Sequence, residues 1–284
     1  MARRLIVLSS LLFLVSCHRG VTPHPPVRLT IAGAPDMQPL IHDLAGAYAA
    51  RRNYVTIEVQ GGGSDPRLQA VREGKADMEM GRRGDAEIGR GGDAEDEGSD
   101  LEATLIGWDA IAVVVNEARS VEALSLAQVR SIFAGELLEW AEAGDQAGEF
   151  VPVVQDEGSE VRALFEARVM AGGRVTPRAV VVLGDEGVAR CVAQEPGAIG
   201  YLSLGGIGPG IRALALDGVL PEPETIRQGT YPLAHALFLV MGSEPGPEAQ
   251  AFLEFVLSPE GQAIVGRRAV SKVQNPKPKV QNPK

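Results

Sequence analysis

Two cysteines, four histidines and no apolar run of bilayer-spanning length set the first limits on this 284-residue chain. Cys17 closes an N-terminal leader pattern, which leaves Cys191 as the one thiol of the body. With Cys17 outside the folded body no intrachain disulfide is expected, and the fold is expected to hold by packing. His18 and His24 fall in a proline-rich stretch, so the folded body keeps His42 and His235. Both sit in expected regular elements, where a structural role outweighs that of a base. The chain has no H-E-x-x-H, no cysteine–histidine cluster and no G-x-S-x-G elbow, and "GGGSDPR" lacks the lysine of a phosphate-cleaving P-loop. Cys191 stands between apolar neighbours and reads as an inert thiol. No enzyme, metal or cofactor is expected. An excess of basic residues is also missing: the formal charge is −10, which disfavours nucleic acid and anionic lipid as partners.

What is present begins with a leader. Arg3 and Arg4 form a basic n-region, Leu5 to Phe13 an apolar stretch too short to span a membrane, and "LVSC" ends it at Cys17. The pattern resembles a bacterial lipoprotein signal over residues 1–17, with Cys17 as the lipidation site and the lipid as the membrane attachment. Residues 18–28, rich in proline, read as a tether. From there apolar runs of strand length alternate with stretches of helical period. "VRLTIAG" and "YVTIEVQ" read as strands, and "MQPLIHDLAGAYAARR" and "PRLQAVREGKAD" as helices. This β-α-β-α order implies a parallel, doubly wound sheet whose ligands lie beyond the carboxyl ends of its strands. "TLIGWDAIAVVVN" reads as a long strand crossing between two lobes, "YPLAHALFLVMG" as its return partner, and the α/β run between them as a second unit. A helix broken at Ser258-Pro259 closes the body. Residues 84–100, with seven acids, read as a solvated loop, and 271–284, which repeat KVQNPK, as a disordered tail.

Taken in order, "MQPLI", "GGGSD", "GKADMEMGRR", "GWDAIAVVVN", "LSLAQVRSIFAGELLEWAE", "VQDEGSEVRALFE", "EPGAIGYLSL" and "FLEFVLSPEGQAIV" resemble the phosphate-binding lipoproteins of phosphate ABC importers, with the type II periplasmic binding protein fold. The resemblance runs over residues 29–267. It implies two doubly wound α/β lobes joined by a two-stranded hinge, with lobe 1 at 29–113 plus 232–270 and lobe 2 at 114–231. It further implies a small oxyanion ligand, phosphate first, an ABC permease as partner, and a monomer on the outer side of a bacterial membrane. In such a family the anion meets backbone N–H groups and small hydroxyls at helix N-termini. The residues carried over as ligand contacts are Gly63, Ser64, Arg82, Arg83, Gly158, Ser159 and Arg162, with Asp36 and Asp65 facing the same cleft.

The turns depart from the family's pattern in one direction. Asp36 stands in the first turn, Asp65 in the second and Glu160 in the third, each a carboxylate at a helix start that would face the ligand. Asp65-Pro66 is also an ordinary helix start, with aspartate as N-cap and proline at N1. A unit charge about 5 Å from a bound anion, at an effective dielectric of about 20, costs roughly 3 kcal/mol, about a hundredfold in affinity. Arg82, Arg83 and Arg162 offset this if they pair with those acids or grip the ligand. Two expectations follow: an oxyanion-delivering protein, or a remodelled site in a sensor or partner-binding scaffold.

Overall fold

A computed structural model describes residues 24–62, 64–83, 94–95 and 101–272. The leader, Cys17, Gly63, most of the acidic segment 84–100 and the tail from 273 lie outside the described residues. For Ser64, Asp65, Arg83, Ala94 and Glu95 the description is limited to the backbone.

Thirteen strands are present among the described residues: β1 Val27–Gly33, β2 Val55–Gln60, β3 Met78–Arg83, β4 Ala94–Glu95, β5 Leu101–Asn116, β6 Ala123–Leu124, β7 Val151–Gln155, β8 Val180–Val182, β9 Ala198–Ser203, β10 Ile211–Ala213, β11 Ala215–Leu216, β12 Ala234–Gly242 and β13 Val270–Ser271. The α-helices are α1 Gln38–Arg51, α2 Ser64–Arg72, α3 Leu126–Ala134, α4 Glu160–Phe165, α5 Gly184–Gln194, α6 Pro223–Arg227, α7 Pro247–Leu257 and α8 Pro259–Val265. The main sheet runs β2-β1-β3-β12-β5-β9-β7-β8. Its two ends are parallel triplets: β1 lies between β2 and β3, and β7 lies between β9 and β8. β5 joins them. Leu101 to Ala110 pair antiparallel with β12, while Ile111 to Val115 pair antiparallel with β9. One 16-residue strand therefore belongs to two sheets, which gives the two α/β lobes of the expected fold class.

Apolar content explains the layers. The inner stretch of β1 is buried on both faces, as a central parallel strand requires. Leu40, Ile41, Leu44 and Tyr48 of α1 recur at helical spacing and pack with Leu29, Ile31, Met78, Leu237 and Phe252. The other lobe closes around Trp140, Phe133, Phe165 and Tyr201, with the rings of the last two stacked at 3.8 Å. Local signals set the ends: α3 begins with a Ser125–Gln128 capping box and stops at Gly135, whose φ of 76° suits glycine.

Several elements differ from expectation. "EVRALFEARVM" is α-helical only to Phe165 and continues as a π-helical turn over Glu166–Met170. "IRALALDG" divides into β10, which pairs with β5, and β11, which pairs with β6. The first strand begins at Val27, inside the expected tether, and His24 stacks on Tyr54 at 4.6 Å. Among the described residues no helix is long and apolar enough to cross a membrane.

Candidate functional site

A cleft of about 670 Å³ opens between the lobes. Its lining follows from strand direction. The chain leaves β1 into Pro35, Asp36 and Met37, reaches Arg82 near the end of β3, leaves β7 into Asp156, β8 into Leu183 and Gly184, and β9 into Gly205 and Gly206. Two strands of one parallel triplet and three of the other, the two sets running in opposite directions, thus deliver their carboxyl ends to one crevice, the place where doubly wound sheets bind ligands. Three helical starts lie in its wall: the single 3-10 turn at Pro35–Met37 that leads into α1, α4 at Glu160 and α5 at Gly184. The amino end of a helix is where backbone N–H groups and the positive end of the dipole are offered to an anion.

On the lobe 1 side the centre is Arg82. Its Nε donates to His235 Nε2 at 2.8 Å, Nη1 to Asp36, and Nη2 to Asp109 Oδ2 at 3.1 Å and Ser203 Oγ at 3.2 Å. Four hydrogen bonds draw on a group with five N–H donors. Burial alone would lower the Arg82 pKa, but Asp36 and Asp109 outweigh it and the net shift is upward, so the guanidinium stays charged. Burial pushes the Asp109 carboxyl up from its usual range, against the pull of Arg82 and of the Ala110 N–H. Burial, then the charges of Arg82 and Arg168, hold His235 well below its ordinary value. The imidazole is neutral at pH 7, with Nε2 free to accept from Arg82. Asp36 Oδ1 is buried and has no hydrogen-bond partner among the described residues.

On the lobe 2 side Gln155, fully buried at the end of β7, ties two helix starts together. Its Oε1 accepts from Ser159 Oγ at 2.6 Å, and its Nε2 donates to Asp185 Oδ1 at 2.7 Å. Ser159 also caps α4 by accepting from the Arg162 N–H. Asp185 accepts from the Ser203 N–H at 3.1 Å. Burial raises its pKa, and Asp36 contributes in the same direction.

The structure brings together Asp36, Arg82, Gly158, Ser159 and Glu160 in the cleft wall. Arg162 is not among the described lining residues. Its Nε is spent on Glu166 at 2.7 Å and its Nη1 on the Gln155 carbonyl at 2.9 Å, because the helical spacing of 162 and 166 turns it along α4. Gly63 lies outside the described residues. Ser64 and Asp65 open α2 and Arg83 ends β3, each described by backbone only. Asp109, Gln155, Asp185, His235 and Arg67 escaped the sequence reading as members of the site. Asp109 and His235 carried a signal, a polar residue inside an otherwise apolar strand.

The three-glycine stretch has a local use. Gly62 takes φ = 150°, and its carbonyl receives Arg67 Nη1. Arg67 is 2% exposed and is further held by Glu79 at 3.2 Å and by Glu160 at 2.6 Å.

A family model described as PBP superfamily domain matches residues 20–260. The chain belongs to the PBP superfamily. Among curated members, a phosphate-binding protein PstS of Bacillus subtilis is 29% identical over 84% of this chain and 77% of its own length. Among solved structures, one from Clostridium perfringens, described as a substrate-binding protein of a phosphate ABC transporter with bound phosphate, is 26% identical. It covers 87% of this chain and all of its own, with a TM-score of 0.72. An ABC-type phosphate transport receptor from Vibrio cholerae, 24% identical, covers 84% of this chain and 98% of its own with a TM-score of 0.71, and shows the shared fold.

Proposed function

We propose that this member of the PBP superfamily is an extracytoplasmic solute-binding lipoprotein that captures phosphate, or a related oxyanion, for an ABC importer. The observation that carries the reading is the convergence of three helical N-termini and a buried arginine on one interlobe cleft. Superfamily relatives named for phosphate binding support it. In this reading Cys17 carries the lipid, the protein acts as a monomer, its partner is an ABC permease, and it performs no catalysis and needs no cofactor.

The acids in the wall shape which oxyanion fits. A carboxylate can accept but not donate, so a fully deprotonated anion is repelled at Asp36. A hydrogen phosphate brings its own P–OH donor, and Asp36 Oδ1, buried without a partner among the described residues, is the acceptor that such a donor satisfies. Sulfate at neutral pH carries no proton to offer. The expected outcome is a thermal midpoint that rises by several degrees with phosphate and not with sulfate or chloride, once bound ligand has been stripped by partial unfolding. At a hundred times Kd, binding to the folded state contributes about 2.7 kcal/mol.

One observation favours a second reading, a remodelled site that takes another ligand or a protein partner. Asp36, Asp109, Asp156, Glu160, Asp185 and Glu186 line the cleft against Arg82 and Arg268, and Arg82 is already engaged. No midpoint shift up to millimolar phosphate selects this reading.

A further inference from the structure

Arg67 and Glu160 sit on opposite lobes. Arg67 belongs to α2, packed against the β1-β3 side, and Glu160 is the first residue of α4 in the other lobe, where it lines the cleft. Their closest approach is Nη2 to Glu160 Oε1 at 2.6 Å. No N–H of Arg67 is aligned on that oxygen, so the contact is an ion pair rather than a hydrogen bond.

The rest of Arg67's environment is built within lobe 1. Glu79 of β3 holds Nε, and the Gly62 carbonyl holds Nη1. If the lobes part, the guanidinium keeps both partners, stays aimed at the cleft and is not left as a lone buried charge, the circumstance that makes breaking a buried pair costly. Glu160, at the cleft surface, regains water. Of Arg67's own contacts the one to Glu160 alone must break; opening also breaks the polar contact between the lobes from Arg82 Nη2 to Ser203 Oγ at 3.2 Å.

We infer that Arg67 and Glu160 form a latch across the cleft that sets the opening equilibrium of the two lobes and, through it, the residence time of the bound anion. The inference rests on the reading of two lobes closing over an oxyanion. The glycine turn at 61–62 has its use here: the backbone carbonyl that Gly62 presents holds Arg67 in position for the far lobe. Truncating one side of a desolvated charge pair acts chiefly on dissociation.

The test uses the full chain and three variants. Glu160→Gln removes the charge, Glu160→Asp keeps the charge but shortens its reach by one methylene, and Glu157→Gln removes one charge from a nearby exposed position. Small-angle X-ray scattering without added ligand reads lobe separation, and stopped-flow measurement of phosphate release reads residence time. A latch predicts a larger radius of gyration and roughly tenfold faster release for both Glu160 variants, a loss of about 1.4 kcal/mol, with Glu157→Gln unchanged. Two results overturn it: scattering identical to the parent in both Glu160 variants, or Glu160→Asp behaving as the parent while Glu160→Gln binds phosphate more tightly. The second would make Glu160 a local charge near the anion and nothing more. If phosphate does not bind at all, the functional reading fails, and the scattering comparison still decides the latch.

Discussion

Asp185 is a carboxylate hydrogen-bonded to neutral donors, Gln155 Nε2 and the Ser203 N–H. Burial pushes its pKa above the ordinary value, so its ionised form is penalised in the fold and not in the unfolded chain. The stability associated with Asp185 is therefore fully present below its unfolded pKa and is lost as pH rises through the raised folded value. Asp185→Asn keeps an oxygen to accept both hydrogen bonds and removes the charge. The variant should be more stable than the parent at pH 7, by on the order of 1 kcal/mol. That advantage should shrink as pH falls and vanish below the ordinary aspartate range. Urea titrations at pH 7 and pH 3.5 check both halves. At this scale the sequence was partly legible. Asp36, Arg82 and Ser159 could be placed at strand ends and helix starts, whereas Arg67 could not be assigned to the cleft. Its direction depends on the φ of Gly62 and on a glutamate in the opposite lobe.

Between α7 and α8 the chain turns a corner on Ser258, whose Oγ donates to the Phe255 carbonyl at 2.6 Å and accepts from the Gly261 N–H at 3.3 Å. Gly261 has no room for a side chain: an added Cβ would lie 2.2 Å from the Phe255 oxygen and 2.6 Å from that of Val256. Both are backbone atoms that cannot swing aside. Gly261→Ala should cost about 3 kcal/mol, at the upper end for overpacking, seen as a lower urea midpoint with an unchanged m-value. Long elements were the readable ones. β5, β12 and α1 announced themselves by apolar content and period, and Ser258-Pro259 marked the helix break. β3 was harder, because "MEMGRR" alternates apolar and charged residues in a strand between two others. Its methionines face the core shared with α1, while Glu79 meets Arg67 and Arg82 meets Asp36. Charges satisfied by distant partners hide a buried strand from any local reading. The π turn after Phe165 and the split between β10 and β11 have no local signature either, since tertiary pairing decides them.

The whole molecule is coupled through β5. Its first half completes the sheet of lobe 1 and its second half that of lobe 2, and Trp108 packs against apolar clusters of both. Separate unfolding of one lobe would strip half of a shared strand. Equilibrium unfolding should accordingly be a single transition, with tryptophan fluorescence, reporting Trp108 and Trp140, coinciding with far-ultraviolet circular dichroism. Displaced curves would show that the lobes melt independently. The same topology fixes an order of birth. β1 and β3 pack with Leu237, Leu239 and Phe252, which are synthesised far later than the strands they cover. The second lobe is drawn almost wholly from the contiguous chain between β5 and β12. At about 5–20 residues per second, the first three strands wait on the order of 10–30 s for their partner. During that interval a nascent or translocating chain exposes open strand edges, and a holding chaperone would find its target in the amino-terminal quarter of this protein rather than in its middle.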